Sequence, residues 1–120
     1  MSRESIRDEP VLDMDIVEQN EELMDEKFPD ELLEDWNSAT VPVIKEIIAN
    51  YKTMDNEALR AKSHKCAGSA LQLGGHQLGT ALRTASHLIQ AGSRDLAEDI
   101  LQDVEEYYNL FEQAIAETKQ

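Results

Sequence analysis

The sequence predicts an all-α fold: an antiparallel, up-down-up-down four-helix bundle with a short extra N-terminal helix. Three observations carry this reading. Apolar residues recur at helical spacing through most of the chain, as in Leu33, Trp36, Thr40, Ile44, Ile47 and Tyr51. No glycine precedes Gly68, so the punctuation of strands and tight turns is missing from the first half. The amphipathic segments are joined by short stretches of about two to six residues, which return each helix against its neighbour.

Residues 1–10 are polar and are expected to be flexible, with one domain over residues 11–120. Leu12 to Asn20 fits a short helix, with Asp13 near its start and Leu12, Ile16 and Met24 as packing residues. The acidic run from Glu18 to Glu26 reads as a solvated connection. Pro29 suits the first turn of the first long helix, and Asp30, Glu31 and Glu34 follow where negative charge complements the helix dipole. Pro42 removes a backbone donor and should kink this helix near Ser38-Ala39; the alternative is a full break, with Thr40 capping a new helix. Asp55 or Asn56 caps the second helix, which runs through His64 to Leu73 and ends at Gly74-Gly75. A third helix covers His76 to Ala91, with Leu78, Leu82, Ala85 and Ile89 as its apolar stripe. Ser93 caps the fourth and longest, which runs to Lys119-Gln120 along Leu96 or Ala97, Ile100, Val104, Tyr107 or Tyr108, Phe111 and Ile115. The core is expected around Trp36, Ile44, Leu59, Leu73, Leu82, Val104 and Phe111.

Composition narrows the function classes. The 120 residues suffice for a single core. The net charge of -14, from 25 acidic and 11 basic residues, repels phosphate backbones and anionic lipid, so neither nucleic acid nor membrane is an expected partner. The single cysteine, Cys66, excludes an internal disulfide and fits a reducing compartment. No apolar run approaches the roughly 20 residues of a membrane span, and the N-terminus has no apolar signal region. The expected location is the cytosol, with nuclear access, and the expected state is monomeric.

The most distinctive stretch runs from Ala61 to Gly75. At about 100° per residue, Leu59, Ser63, Cys66, Ala70 and Leu73 line one stripe, and His64 lies about 140° from its centre. The neighbours of His64 one turn away are Arg60 and Ala61 on one side, Ala67 and Gly68 on the other. A histidine on the water side, with small residues around it, is open to another macromolecule. Neutral imidazole is a competent nucleophile, and its ordinary titration lies near neutrality. No glycine-rich phosphate loop, kinase lysine motif or paired metal carboxylates accompany it, so the chain shows no means of binding ATP. His76 and His87 read as solvated. With Cys66 facing the core, the histidine spacings of 12 and 11 residues match no zinc site, so neither metal nor cofactor is expected.

The run from His64 to Gly74 resembles the signature of histidine-containing phosphotransfer (HPt) domains, which reads H-x-x-[KR]-G-[SA]-[SA] with an apolar residue and a glycine a turn and a half later. His64, Gly68, Ser69, Ala70, Leu73 and Gly74 match. Leu78 and Leu82 resemble the family's third helix, and Leu101 to Tyr108 resembles the last helix of its stand-alone eukaryotic members. The resemblance covers residues 28–118. It implies a phosphorelay carrier, with His64 as phosphoacceptor and receiver domains of hybrid histidine kinases and response regulators as partners. Mg²⁺ would be supplied by the receiver. Arg60, Gly68 and Ser69 are the supporting residues, and Ala61, Leu71 and Ile16 are expected to frame the docking surface. The alternatives are a receiver-binding module that transfers nothing and an unrelated helical adaptor. One departure matters: Ala67 stands where the family has lysine or arginine. Lys65 diverges from His64 by about 100°. Arg60, one turn earlier on the same face, is the better substitute, and Arg83 on the third helix is a second basic residue that could approach. The departure bears on transfer efficiency and phosphohistidine lifetime.

Overall fold

The computed structural model describes residues 1–119. Among them all regular structure is helical, and the only β-type pairing is an isolated bridge between Leu12 and Gly75. The order is α1 (Arg3–Arg7), α2 (Met14–Met24), α3 (Asp30–Asp35), a π-helical turn (Trp36–Thr40), α4 (Val41–Asn50), α5 (Asn56–Leu73), α6 (His76–Gln90), α7 (Arg94–Leu101) and α8 (Val104–Thr118). The radius of gyration is 14.0 Å, against about 13.6 Å for a single compact domain of this length. One core therefore serves the whole described chain.

Local chemistry sets most boundaries. Asp13 caps α2 by accepting from the backbone N–H groups of Asp15 and Ile16. Asp55 caps α5, accepting from the Ala58 N–H at 2.8 Å. Gly74, at φ 97°, ends α5 in the left-handed conformation that a side chain would strain. The disturbance expected before Pro42 takes a specific form. The chain stays helical and widens into the π turn over Trp36–Thr40, where the Val41 N–H reaches back to the Trp36 carbonyl.

The predicted core is buried throughout: Trp36, Ile44, Leu59, Leu73, Leu82, Val104 and Phe111. Phe28 and Trp36 both pack edge-on against Phe111, with ring centroids 6.2 and 5.4 Å away. Of the alternatives on the last stripe, Ala97 and Tyr107 face inward, whereas Leu96 is exposed.

Four expectations are corrected. Residues 1–10 are not a loose tail. Ser2 and Ser5 form a capping box at α1, Ile6 is fully buried, and Arg3 and Arg7 both reach Asp103. The acidic run from Glu18 is helical as far as Met24, because α2 buries Val17 against the end of α5. The fourth helix is divided at Gln102-Asp103, where the Asp103 N–H turns to the Ile100 carbonyl at 3.1 Å and its carboxylate is held beneath the two arginines. Ser93 makes no side-chain cap. The α4–α5 connection is held instead by Arg94, whose Nη2 donates to the Tyr51 and Met54 carbonyls at 2.7 and 2.8 Å.

Candidate functional site

Helix α5 and helix α6 form a hairpin across Gly74-Gly75, and two contacts and a shared cleft fix its register. The Ser86 hydroxyl donates to the Arg60 carbonyl at 3.3 Å. Gly79 lies against Leu71, close enough that a β-carbon there would stand 2.5 Å from Leu71 Cγ. Gln90 shares a surface cleft with Asn56, Glu57 and Arg60. Interpolating between the first two pairs places His64 level with Arg83 and Thr84.

His64 is exposed, as its position on the helical wheel predicts. Its surroundings are less symmetrical than the single stripe implies. Arg60, His64, Ala67 and Leu71 fall within an arc of about 60°, and α6 packs along that arc. Ala67 is consequently 2% exposed, a core residue beside the histidine rather than a member of its open face. Leu71, expected to frame the docking surface, is half-buried over Gly79 at the helix seam. His64 thus stands on the rim of the α5/α6 seam. On the far side of the histidine the surface is open. Gly68 and Ala61 are exposed, and a β-carbon on Gly68 would meet nothing within 4 Å.

The basic residues of α5 and α6 differ in what they are doing. Arg60 is turned toward the start of its helix, its Nη2 donating to Glu57 Oε1 at 2.7 Å, and the pairing raises its pKa. The residue expected to substitute for the motif's basic side chain is thus engaged by Glu57. Lys62 is paired with Glu46 of α4. Lys65 and Arg83 are exposed, and among the described residues neither makes an ion pair.

The other named residues lie elsewhere. Ser69 is on the opposite side of α5, lining a cleft with Leu32, Asp35, Trp36, Thr40, Gln72 and Leu73 at the π turn. Ile16 is half-buried on α2, whose contacts with α5 cluster at its C-terminal end: the Asp13 N–H donates to the Gly74 carbonyl at 2.9 Å and Asn20 donates to the Gln72 carbonyl at 3.2 Å. The hairpin thus gathers His64, Gly68, Ala61 and Arg83 on one surface, with Leu71 at its seam edge, and leaves Ser69 and Ile16 outside it. Sequence reasoning misses Gly79, although glycine inside a helical pattern is a usable signal for close packing.

Cys66 is fully buried, and burial pushes its thiol up to about 12, so it holds no reactive thiolate near neutrality. His76 is half-buried and lies 3.1 Å from a Glu9 oxygen, which corrects its reading as a solvated residue; His87 is exposed. Among the described residues no group of three or more His, Cys, Asp or Glu side chains is arranged to hold a metal ion, and no helix is long and apolar enough to cross a membrane. What the surface offers chemically is an accessible imidazole nucleophile with open space beside it and no enclosing pocket wall of its own. Compared with known proteins, the chain matches no family model, no curated protein and no solved structure.

Proposed function

We propose that this protein is a phosphorelay carrier of the HPt type: His64 accepts a phosphoryl group from the aspartate of one receiver domain and gives it to the aspartate of another. In this reading α3–α4, α5, α6 and α7–α8 are the four members of an antiparallel bundle, and α1 and α2 are additions to it. The observation that carries the proposal is the exposed His64 beside the open surface of Gly68, within the His64–Gly74 motif.

The chemistry asks little of the carrier. The unprotonated imidazole nitrogen forms an N–P bond as the acyl O–P bond breaks, and the leaving electron pair returns to the aspartate as carboxylate. The ring's remaining N–H proton passes to water. The reverse sequence, on a second receiver, empties the carrier. Positioning and charge stabilisation dominate such transfers, and an in-line approach of two macromolecules needs short side chains around the nucleophile. Partners are receiver domains, with Mg²⁺ held on the receiver side, and the protein acts as a monomer in the cytosol with access to the nucleus.

A second reading has one observation in its favour. Ala67 removes the motif's basic residue, and Arg60 is tied to Glu57. Both fit a receiver-binding module that transfers nothing.

The test is incubation with a receiver domain carrying a radiolabelled aspartyl phosphate. The carrier reading expects acid-labile label on this chain, mapped to His64. His64→Gln should lose it while keeping full helicity, and His76→Gln and His87→Gln should accept normally. Binding of the receiver without label selects the second reading, and label retained by His64→Gln refutes the site.

A further inference from the structure

We propose that Arg83 of α6 supplies, across the helix seam, the positive charge that Ala67 does not, by binding the oxygens of the phosphoryl group on His64. The inference rests on the carrier reading above and assigns a further residue to that site.

Helices α5 and α6 carry four lysines and arginines, and their positions separate them. Arg60 is held by Glu57, and Lys62 by Glu46. Lys65 points about 100° away from His64 on the same helix. Arg83 remains, exposed and without an ion-pair partner among the described residues. The contacts of Ser86 with Arg60 and of Gly79 with Leu71 place it level with His64.

The faces agree as well as the levels. On α6 the residues turned toward α5 are Gly79 and Ser86, and those turned toward the core are Leu78, Ala85 and Ile89. Moving round the helix from core to seam and onward reaches Arg83 and then His87, both exposed. On α5 the same progression passes from Ala70 through Ala67 to His64 and then Gly68. Both rims border one seam on its solvent side. Packed helices lie about 8–10 Å apart, and Gly79 permits an approach that a β-carbon would obstruct. An arginine on one rim is then within side-chain reach of a group on the other. Guanidinium matches phosphoryl oxygens with a planar fork of donors, which suits this task.

The experiment has two arms, run on the full chain with circular dichroism and denaturant melts for each variant. In the first, the receiver-phosphate assay compares wild type, Arg83→Ala and Arg83→Lys, with Lys45→Ala as a control for loss of one surface charge. Arg83→Ala is expected to slow acceptance at least about tenfold with unchanged stability, Arg83→Lys to stay within about threefold, and Lys45→Ala to match wild type. In the second, chain already phosphorylated on His64 is freed of receiver and the loss of its label is timed. Without the guanidinium on the phosphoryl oxygens, Arg83→Ala should lose label at a rate that differs at least about threefold from wild type, and Lys45→Ala at the wild-type rate. Wild type that takes label at a rate Arg83→Ala matches, or label on Arg83→Ala that is lost at the wild-type rate, overturns the role of Arg83 and leaves the carrier reading standing. Wild type that takes no label overturns both.

Discussion

Leu71 of α5 occupies the space that a β-carbon on Gly79 of α6 would need, with Leu71 Cγ 2.5 Å and its backbone nitrogen 3.2 Å from that point. The hairpin can therefore close only because residue 79 has no side chain. Alanine gains about 0.5–1 kcal/mol of helix propensity over glycine, whereas overpacking a core seam costs about 1–3 kcal/mol. Gly79→Ala should thus destabilise the protein by roughly 1 kcal/mol or more, read as a lower urea midpoint at unchanged slope. Adding Leu71→Ala in the same chain should recover part of the space conflict, so the two substitutions should be non-additive.

Gly68 gives the opposite outcome. Nothing lies within 4 Å of its missing β-carbon, so no contact offsets the gain in helix propensity. Gly68→Gln should leave the protein as stable as wild type or more so, by up to about 1 kcal/mol. Under the carrier reading the glutamine projects into the receiver's path and should slow transfer at least about tenfold. A destabilised variant in a urea melt would refute the first half. Unimpaired transfer by a well-folded variant would refute the second.

Asp103 ties the N-terminal helix to the break between α7 and α8. Its carboxylate is 8% exposed and accepts from Arg3 Nε at 2.7 Å and Arg3 Nη2 at 3.0 Å, with Arg7 at 3.2 Å. The hydrogen bonds from Arg3, followed by the charges of Arg3 and Arg7, hold its pKa below the usual aspartate value, against the opposing effect of burial. A carboxyl whose folded pKa is depressed contributes stability that is fully present above its unfolded value, near pH 4, and is lost as pH falls toward the folded one. Asp103→Asn should therefore lower Tm at pH 7 by at least about 3 °C, and the gap to wild type should narrow below about pH 4. A gap of the same size at pH 7 and pH 3 would assign the loss to packing instead.

The parts of the fold that were legible in the sequence are those decided within a few residues. Asp13, Asp55 and Gly74 act through their own backbone neighbours, and Pro42 disturbs the turn before it. What was not legible depends on partners far along the chain. Helix α1 is a polar segment by composition, yet Ile6 is buried, Gln77 donates to the Ile6 carbonyl, and Arg3 and Arg7 reach Asp103. The same cluster accompanies the division of the last helix, which its continuous apolar stripe concealed. At the candidate site, the exposure of His64 followed from a wheel. The burial of Ala67 and the seating of Leu71 did not, because one stripe presumes one packed side, whereas α5 has α4 on one flank and α6 on another.

That second flank decides the last prediction, which concerns the lysine that the HPt motif would place at position 67. Ala67 is 2% exposed, so Ala67→Lys must lay a four-carbon stem along the α5/α6 seam before its ammonium reaches water. Inserting methylenes into a packed seam should lower stability by about 1–3 kcal/mol, a loss the wheel alone does not anticipate. Round α5 from Ala67, Leu71 and then His64 lead to the rim that borders Arg83, so a stem laid in that direction brings the new charge to where a phosphoryl group on His64 would need one. Acceptance should not fall in Ala67→Lys, and in an Arg83→Ala background the same substitution should restore at least half of the lost rate. Two groups serving one phosphoryl are not additive, so the gain from lysine should be larger when Arg83 is absent than when it is present. Rates and urea midpoints for wild type, both single variants and the double variant complete the cycle. An equal gain in both backgrounds would mean that the introduced lysine and Arg83 act on different groups.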